Sequence, residues 1–356
     1  MIINQWIPAA HRGDAIGDSA RQVRDLLRGM GHESDIYAMT IDEDMRGEVR
    51  SFDQAASRGG DLTIFHYALP SAMSGAFRDL GGTRVLQYHN ITPAHFFAGY
   101  HPEVFRIAAL GRADLKSLSA SADLALGDSD YNRRELETLG FRSTAVFPIA
   151  LNLDRITKAP PHPALSKILD DGLTNFLFVG RVVPNKRIED IVLLAELYKR
   201  NIDSQYRFIF VGRTDAIPNY YATLRALIVR LEMLPERFLF TGQVSDWELA
   251  AYYRSARVYL SLSEHEGFCV PVLEAMAAGV PVFASDSSAV GETLGGAGVT
   301  WSPKDLEFAS ELLGQLAFDP RMRAQVVARQ YRRLEDFSEA RLLQRLAEII
   351  AAKRES

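Results

Sequence analysis

The stretch from Ser263 to Gly279, SEHEGFCVPVLEAMAAG, constrains this chain more than any other. Two short apolar, β-rich runs bracket it, RVYLSLS (257–263) and VPVFAS (280–285), and both read as buried strands. Between them lie a polar loop and a short helix. Pro271 suits the first helical position, and Gly279 suits the position just past the end. The loop therefore sits at the carboxyl end of a parallel strand, the edge where open α/β sheets bind ligands. A helix N-terminus at that edge favours a phosphate.

Glu266 and Glu274 have seven residues between them. Glu266 falls in the loop. Glu274 is expected in the first helical turn, off the apolar side made by Val272, Leu273, Met276 and Ala277. A carboxylate near a helix start is stabilising by itself, which accounts for Glu274 alone. It does not account for Glu264 and Glu266 crowded into one loop, where like charges repel. Carboxylates accept hydrogen bonds and sugar hydroxyls donate them. A phosphate-ready helix start beside two acceptor-only groups suits a nucleotide sugar.

The stretch resembles the Glu–seven residues–Glu motif of retaining family-4 glycosyltransferases, and the surrounding frame GFCVPVLEAMAAGVPV resembles that family throughout. The fold this implies is α/β, the GT-B fold: two Rossmann-like, doubly wound parallel-sheet domains facing a cleft. The boundaries expected from the sequence are 1–160 for an acceptor-side domain and 161–335 for a nucleotide-sugar-binding domain. APPHP (159–163) is taken as the linker, since adjacent prolines continue neither helix nor central strand. A terminal amphipathic helix, about 336–356 with Ser338 as N-cap, is expected to return to the first domain.

At 356 residues the chain is long for one domain and comfortable for two. A net charge of −5 argues against a nucleic-acid partner. The single cysteine, Cys269, excludes an internal disulfide framework and fits a reducing compartment. No apolar run approaches a membrane span, and the N-terminus lacks a basic-then-apolar signal. The expected location is cytoplasmic, with peripheral contact at the inner face of the membrane left open.

In chain order, MIINQWIP, HESDIYAMT, DLTIFHYALP, TRVLQYHN and DLALGDS read as strands of a first α/β series. The loop AAHRGDAIGDSA holds Gly13 and Gly17 but no GxGxxG, which disfavours a dinucleotide enzyme. By resemblance, Gly13 and Gly17 approach the donor diphosphate, with Asp14 or Asp18 as acceptor contacts. His66 and His89 fall at carboxyl ends of neighbouring strands. The resemblance implies that His89 contacts the donor sugar. Arg106, Arg112 and Lys116 lie on a helical region and read either as a solvated face or as contacts for an anionic or lipid-linked acceptor. Asp128-Ser129-Asp130 has metal-motif letters but reads as a helix cap, Ser129 or Asp130.

In the second series, Arg181 and Lys186 share the loop after NFLFVG, spaced so that both cations can converge on a diphosphate. The family has this pair with that duty. The resemblance adds Gly212 and Arg213 after the next strand and the turn at Gln243 and Val244 for the nucleobase. It adds Gly267, Phe268, Cys269 and Val270 at the helix tip, with Glu266 on the donor sugar and Glu274 on the ribose. Catalytic duty then falls on Glu266, His89, Lys186 and Arg181. No essential metal or cofactor is expected. The implied reaction moves a hexosyl unit from a nucleotide sugar, UDP first and GDP (as GDP-mannose) second, to a glycan or lipid-linked acceptor with retention. Two other readings stay open: an epimerase of the same fold, and a non-catalytic nucleotide-sugar binding subunit.

Overall fold

The structure, a computed structural model, describes residues 1–11, 13–53, 60–301 and 305–352. The last four positions of the expected terminal helix, 353–356, lie outside the described residues. Spatial contacts divide the chain into two compact units. The first holds Met1–His95, Glu103–Asn152 and the chain from Phe337 onward; the second holds Phe96–Pro102 and Leu153–Asp336. The division falls at Asn152/Leu153, so the APPHP stretch belongs to the second unit. There the carbonyls of Ala159 and Pro160 accept hydrogen bonds from Arg254.

The first unit alternates strand and helix. It begins β1 (Ile3–Ala10), α1 (Ala15–Gly29), β2 (Ile36–Ile41), β3 (Arg50–Ser51), β4 (Leu62–Tyr67) and α2 (Ala72–Arg78). It continues β5 (Thr83–Tyr88), α3 (Pro102–Ser117), β6 (Leu124–Gly127), α4 (Asp130–Thr138) and β7 (Thr144–Val146). The strands form one parallel sheet in the order β3-β2-β1-β4-β5-β6-β7. Strands buried on both faces need no polar alternation, and β4 (LTIFHY) is buried at every position.

The second unit runs α5 (Asp154–Thr157), α6 (Pro163–Leu169), β8 (Thr174–Val179), α7 (Ile188–Asn201), β9 (Tyr206–Val211) and α8 (Pro218–Arg230). Then come β10 (Phe238–Gly242), α9 (Asp246–Ser255), β11 (Val258–Ser261), α10 (Val270–Ala277), β12 (Val282–Ser285) and α11 (Val290–Leu294). It closes with β13 (Val299–Trp301), α12 (Leu306–Phe318) and α13 (Pro320–Leu334). Its parallel sheet has the order β10-β9-β8-β11-β12-β13. The final helix α14 (Glu339–Ala352) returns to the first unit, where Leu342, Leu346 and Ile350 pack with Ile3, Val23 and Leu126.

Both sheets therefore reverse strand order once, between β1 and β4 and between β8 and β11. Connections leave the two central strands in opposite directions there, which opens a crevice at the carboxyl edge. Among the described residues no helix is long and apolar enough to cross a membrane.

Candidate active site

At the reversal in the second sheet, the chain after β8 makes a single 3₁₀ turn, Pro184–Lys186, and Arg187 follows in the left-handed region (φ 51°). Asn185, 3% exposed, stitches this turn to the loop after β11. Its Nδ2 donates to the His265 carbonyl at 2.9 Å, and its own carbonyl accepts from the Glu264 N–H at 2.9 Å. That double link fixes the two loops in register and sets the Lys186 ammonium against the Glu266 carboxylate, with side chains 17% and 11% exposed. The expected crowding of Glu264 and Glu266 is resolved by separate cations. Arg187 lies 3.4 Å from Glu264, and also pairs with Glu189 and Asp190.

Helix α10 starts beyond Cys269, which sits at φ 72°. The N–H groups of Gly267, Cys269 and Val270 find no acceptor among the described residues. They are donors at a helix tip, the arrangement that attracts anions. The Phe268 carbonyl accepts from the Thr293 hydroxyl, and Ser288 Oγ accepts from the Glu266 N–H at 2.8 Å. Burial, and next the charge of Glu266, push the Cys269 thiol well above its ordinary range. The thiol is inert packing here.

Glu274 departs from expectation. It lies past the first turn and is 2% exposed, on a helix buried from Val272 through Met276. A carboxylate so placed needs partners. Arg155 of α5 meets one oxygen, while the Tyr253 hydroxyl donates to the other at 2.8 Å. Arg155 also reaches Asp246 at 2.6 Å. Burial first, then the Glu274 charge, raise the Tyr253 phenol well above its ordinary value, so it stays a donor. Sequence reading missed Arg155 and Tyr253. The only signal was an arginine just after the loose turn PIALNLD.

The remaining expected donor residues lie at the ends of β8, β9 and β10. Arg181 is exposed and makes no ion pair among the described residues. Arg213 pairs with Asp215 at 2.9 Å in the open. Gln243 is exposed and Val244 half-buried. Gly212 (φ 139°) has to be glycine: a Cβ there would stand 2.2 Å from the Gly180 carbonyl oxygen. Its N–H bonds the Gly242 carbonyl at 2.9 Å, so three strand ends close on one another.

In the first unit, Gly13 (φ 76°) turns the chain after β1. Gly17 is not in the loop, as expected, but in the first turn of α1. Asp14 caps that helix and its side chain takes the Gly17 N–H at 3.2 Å, which starts the helix at Ala15, inside the stretch expected to be loop. Ser129 caps α4. Arg112 is held by the Ile91 carbonyl and Glu135, while Arg106 and Lys116 are exposed.

His66 and His89 do meet, inside the protein. Gln5 Nε2 donates to the Ala20 carbonyl, which leaves Gln5 Oε1 facing His66 Nε2 at 2.9 Å. His66 Nε2 therefore carries a proton. Its Nδ1 lies 2.8 Å from His89 Nε2, with the rings 2° from coplanar. Burial, then the neighbouring His89, hold His66 well below the ordinary imidazole value. Neutral His66 accepts at Nδ1 from His89 Nε2–H. His89 Nδ1 lies 2.9 Å from Asp128, one proton between them, and both side chains are 1% exposed. Asp128 also accepts from Gln87 at 3.2 Å. Both His89 ring nitrogens are engaged internally, so a sugar contact through either would require breaking one of these bonds. Asp128 is a network member rather than only part of a capping turn.

Among the described residues no three His, Cys, Asp or Glu side chains gather as a metal site requires.

Residues 166–333 match the family model for glycosyl transferases group 1. The chain is 28% identical over 245 residues to an O-antigen chain mannosyltransferase B of Escherichia coli, covering 67% of this chain and 62% of that protein. It is 29% identical over 237 residues to a GDP-mannose-dependent alpha-mannosyltransferase of Mycobacterium tuberculosis, covering 65% and 57%. The matched stretches thus span under two thirds of either relative. Among solved structures, the Anabaena protein HepE in complex with UDP and glucose superposes with a TM-score of 0.76 at 17% identity, covering 99% of this chain and 100% of that one. At that identity the likeness speaks for the GT-B architecture alone.

Proposed function

Because the chain belongs to the glycosyl transferases group 1 family, we propose that it transfers a mannosyl unit from GDP-mannose, with retention, to a glycan or lipid-linked acceptor of a surface polysaccharide. The observation that carries this is the Lys186–Glu266 pair at the strand-order reversal of the second sheet. The order of donors suggested by the sequence alone, UDP before GDP, is reversed here because two relatives are named as mannosyltransferases, one of them GDP-mannose-dependent.

In this reading the diphosphate takes Lys186 from Glu266 and adds Arg181 and the tip N–H groups of Gly267, Cys269 and Val270. Glu266, released, accepts from hexose hydroxyls. Glu274 accepts from the ribose through lone pairs that Arg155 and Tyr253 leave on its two oxygens. The turn at Gln243 and Val244 meets the base. The acceptor hydroxyl attacks the anomeric carbon on the face from which the diphosphate departs, and its proton passes to the leaving phosphate oxygen. The cations and helix tip stabilise the charge that develops on that oxygen, a term whose single donors are worth about 10²–10³ in rate.

The test is product formation with GDP-mannose and UDP-glucose by wild type, Lys186→Ala and Glu266→Ala. The reading expects a new α-mannoside, GDP release, and losses of about 10²–10³ in the variants. Unchanged turnover in both variants, or turnover with UDP-glucose alone, overturns it.

A further inference from the structure

At the opposite edge of the second sheet lies a groove of about 970 Å³. Its walls are the end of α6, the entries to β8 and β11, and the first turns of α13. β8 alone separates this edge from Lys186 by roughly 20 Å of strand. The groove belongs to no part of the site described above.

Its charge is unusual for this molecule. The chain carries −5 overall, yet Lys167, Arg254, Arg257 and Arg323 line the groove against one carboxylate, Asp170. Among the described residues none of the four cations is in an ion pair. Two are held by neutral groups that leave their charge uncompensated. Arg254 donates to the carbonyls of Pro160 (3.0 Å) and Ala159, and Arg257 Nε donates to the Ala317 carbonyl at 2.7 Å. Burial, and after it the charge of Arg323, lower the Arg257 guanidinium from its ordinary value. Arg323 stands on the α13 stripe Pro320, Arg323, Ala324, Val327, whose other members are apolar. Arg257 and Arg323 line the same groove, whose only lining carboxylate among the described residues is Asp170, and like charges gathered in one groove repel. A protein retains that arrangement at a cost, which a dianion placed between them removes.

We propose that this groove binds a phosphate-bearing molecule, its phosphate held between Arg257 and Arg323 with Lys167 beside it. The volume suits a ligand the size of a sugar phosphate. The carboxylate of Asp170 and the hydroxyl of Ser255 suit the ligand's hydroxyl-bearing part. The proposal does not depend on the transfer reading.

The experiment is calorimetric titration of the full chain with glycerol 3-phosphate and inorganic phosphate, beside sedimentation with phosphatidylcholine vesicles with and without phosphatidic acid. Wild type and Lys186→Ala are expected to bind one phosphate-bearing probe equally. Arg323→Gln, which loses no side-chain hydrogen bond among the described residues, is expected to weaken it about tenfold, and Arg257→Gln with Arg323→Gln further. Binding of the free probes assigns a soluble ligand. Binding only of phosphatidic acid vesicles, lost in the double variant, assigns a lipid headgroup to the same pair. Binding abolished by Lys186→Ala, unaltered by Arg323→Gln, or absent with every probe overturns the proposal.

Discussion

The two sheets reverse strand order in the same way, and the crevices at the two reversals are filled in opposite ways. Between β1 and β4, Gln5 and His66 are fully buried, and the chain of hydrogen bonds runs on through His89 to Asp128 with every ring nitrogen assigned. Between β8 and β11, Lys186 and Glu266 keep some exposure, Arg181 is exposed, and helix-tip N–H groups stand without acceptors among the described residues. One crevice spends its polar groups on itself. The other holds charges whose present partners can be exchanged for a ligand. Topology supplies the place for a site, and the satisfaction of polar groups decides whether the place is used.

If that contrast is right, damage at the first reversal appears as lost stability and damage at the second as lost turnover. The largest effect expected is from Asp128→Ala, which strands His89 Nδ1 and a Gln87 donor in a 1%-exposed pocket. Breaking a buried pair costs about 3–5 kcal/mol, readable in urea unfolding. A loss under about 1 kcal/mol would mean the network is not what holds that edge. Next comes Lys186→Ala, expected to lower transfer about 10²–10³ with little change in the unfolding midpoint. A matching fall in stability would make the second crevice structural too, and the contrast would vanish.

Arg155→Ala sharpens the boundary between the two behaviours. Glu274 is as buried as the first network, yet it belongs to the second edge, and its partner Arg155 is 30% exposed. Water can partly replace the guanidinium, so the expected loss is about 1–3 kcal/mol, together with a raised donor KM. Tyr253→Phe should cost about 1 kcal/mol and leave KM unchanged. A KM shift from Tyr253→Phe alone would place the ribose contact on the tyrosine side of Glu274.

The sequence carried the local features of these edges and little of their wiring. The strand–loop–helix around Ser263–Gly279 was legible because its signals are local. Gly279 takes φ 71° at the helix end, where it was expected, and Ser245 with Glu248 forms a capping box whose letters lie only three residues apart. The parallel strands were legible from apolar runs, except β3 and β13, whose two and three residues are too few for any period. The start of α1 was misplaced because two glycines in a polar stretch read as loop, while Asp14 caps a helix through one of them. Arg155 meets a carboxylate 119 positions away, and His89 meets Asp128 across 39. Such pairings are set by which strands become neighbours, and no local pattern encodes them. The burial of Glu274 was missed for the same reason, since its partner had not been found.

The finest test of the contrast uses pH. His66 is fully buried and held below 6.5. Between that depressed value and 6.5 the unfolded chain binds a proton at His66 that the folded chain refuses. By linkage the folded state therefore loses stability as pH falls below about 6.5, by no more than about 1.4 kcal/mol per pH unit. Above 6.5 both states are neutral at this residue and its contribution is flat. His66→Gln keeps a polar side chain between Gln5 and His89 and removes the titration. Stability measured by urea unfolding from about pH 7.5 to about pH 5.5 should then fall more steeply in wild type than in the variant, with the curves parallel at the upper end. Curves parallel throughout would show that His66 takes up its proton while folded. The first crevice would then hold exchangeable charge just as the second does, and burial alone could not separate them.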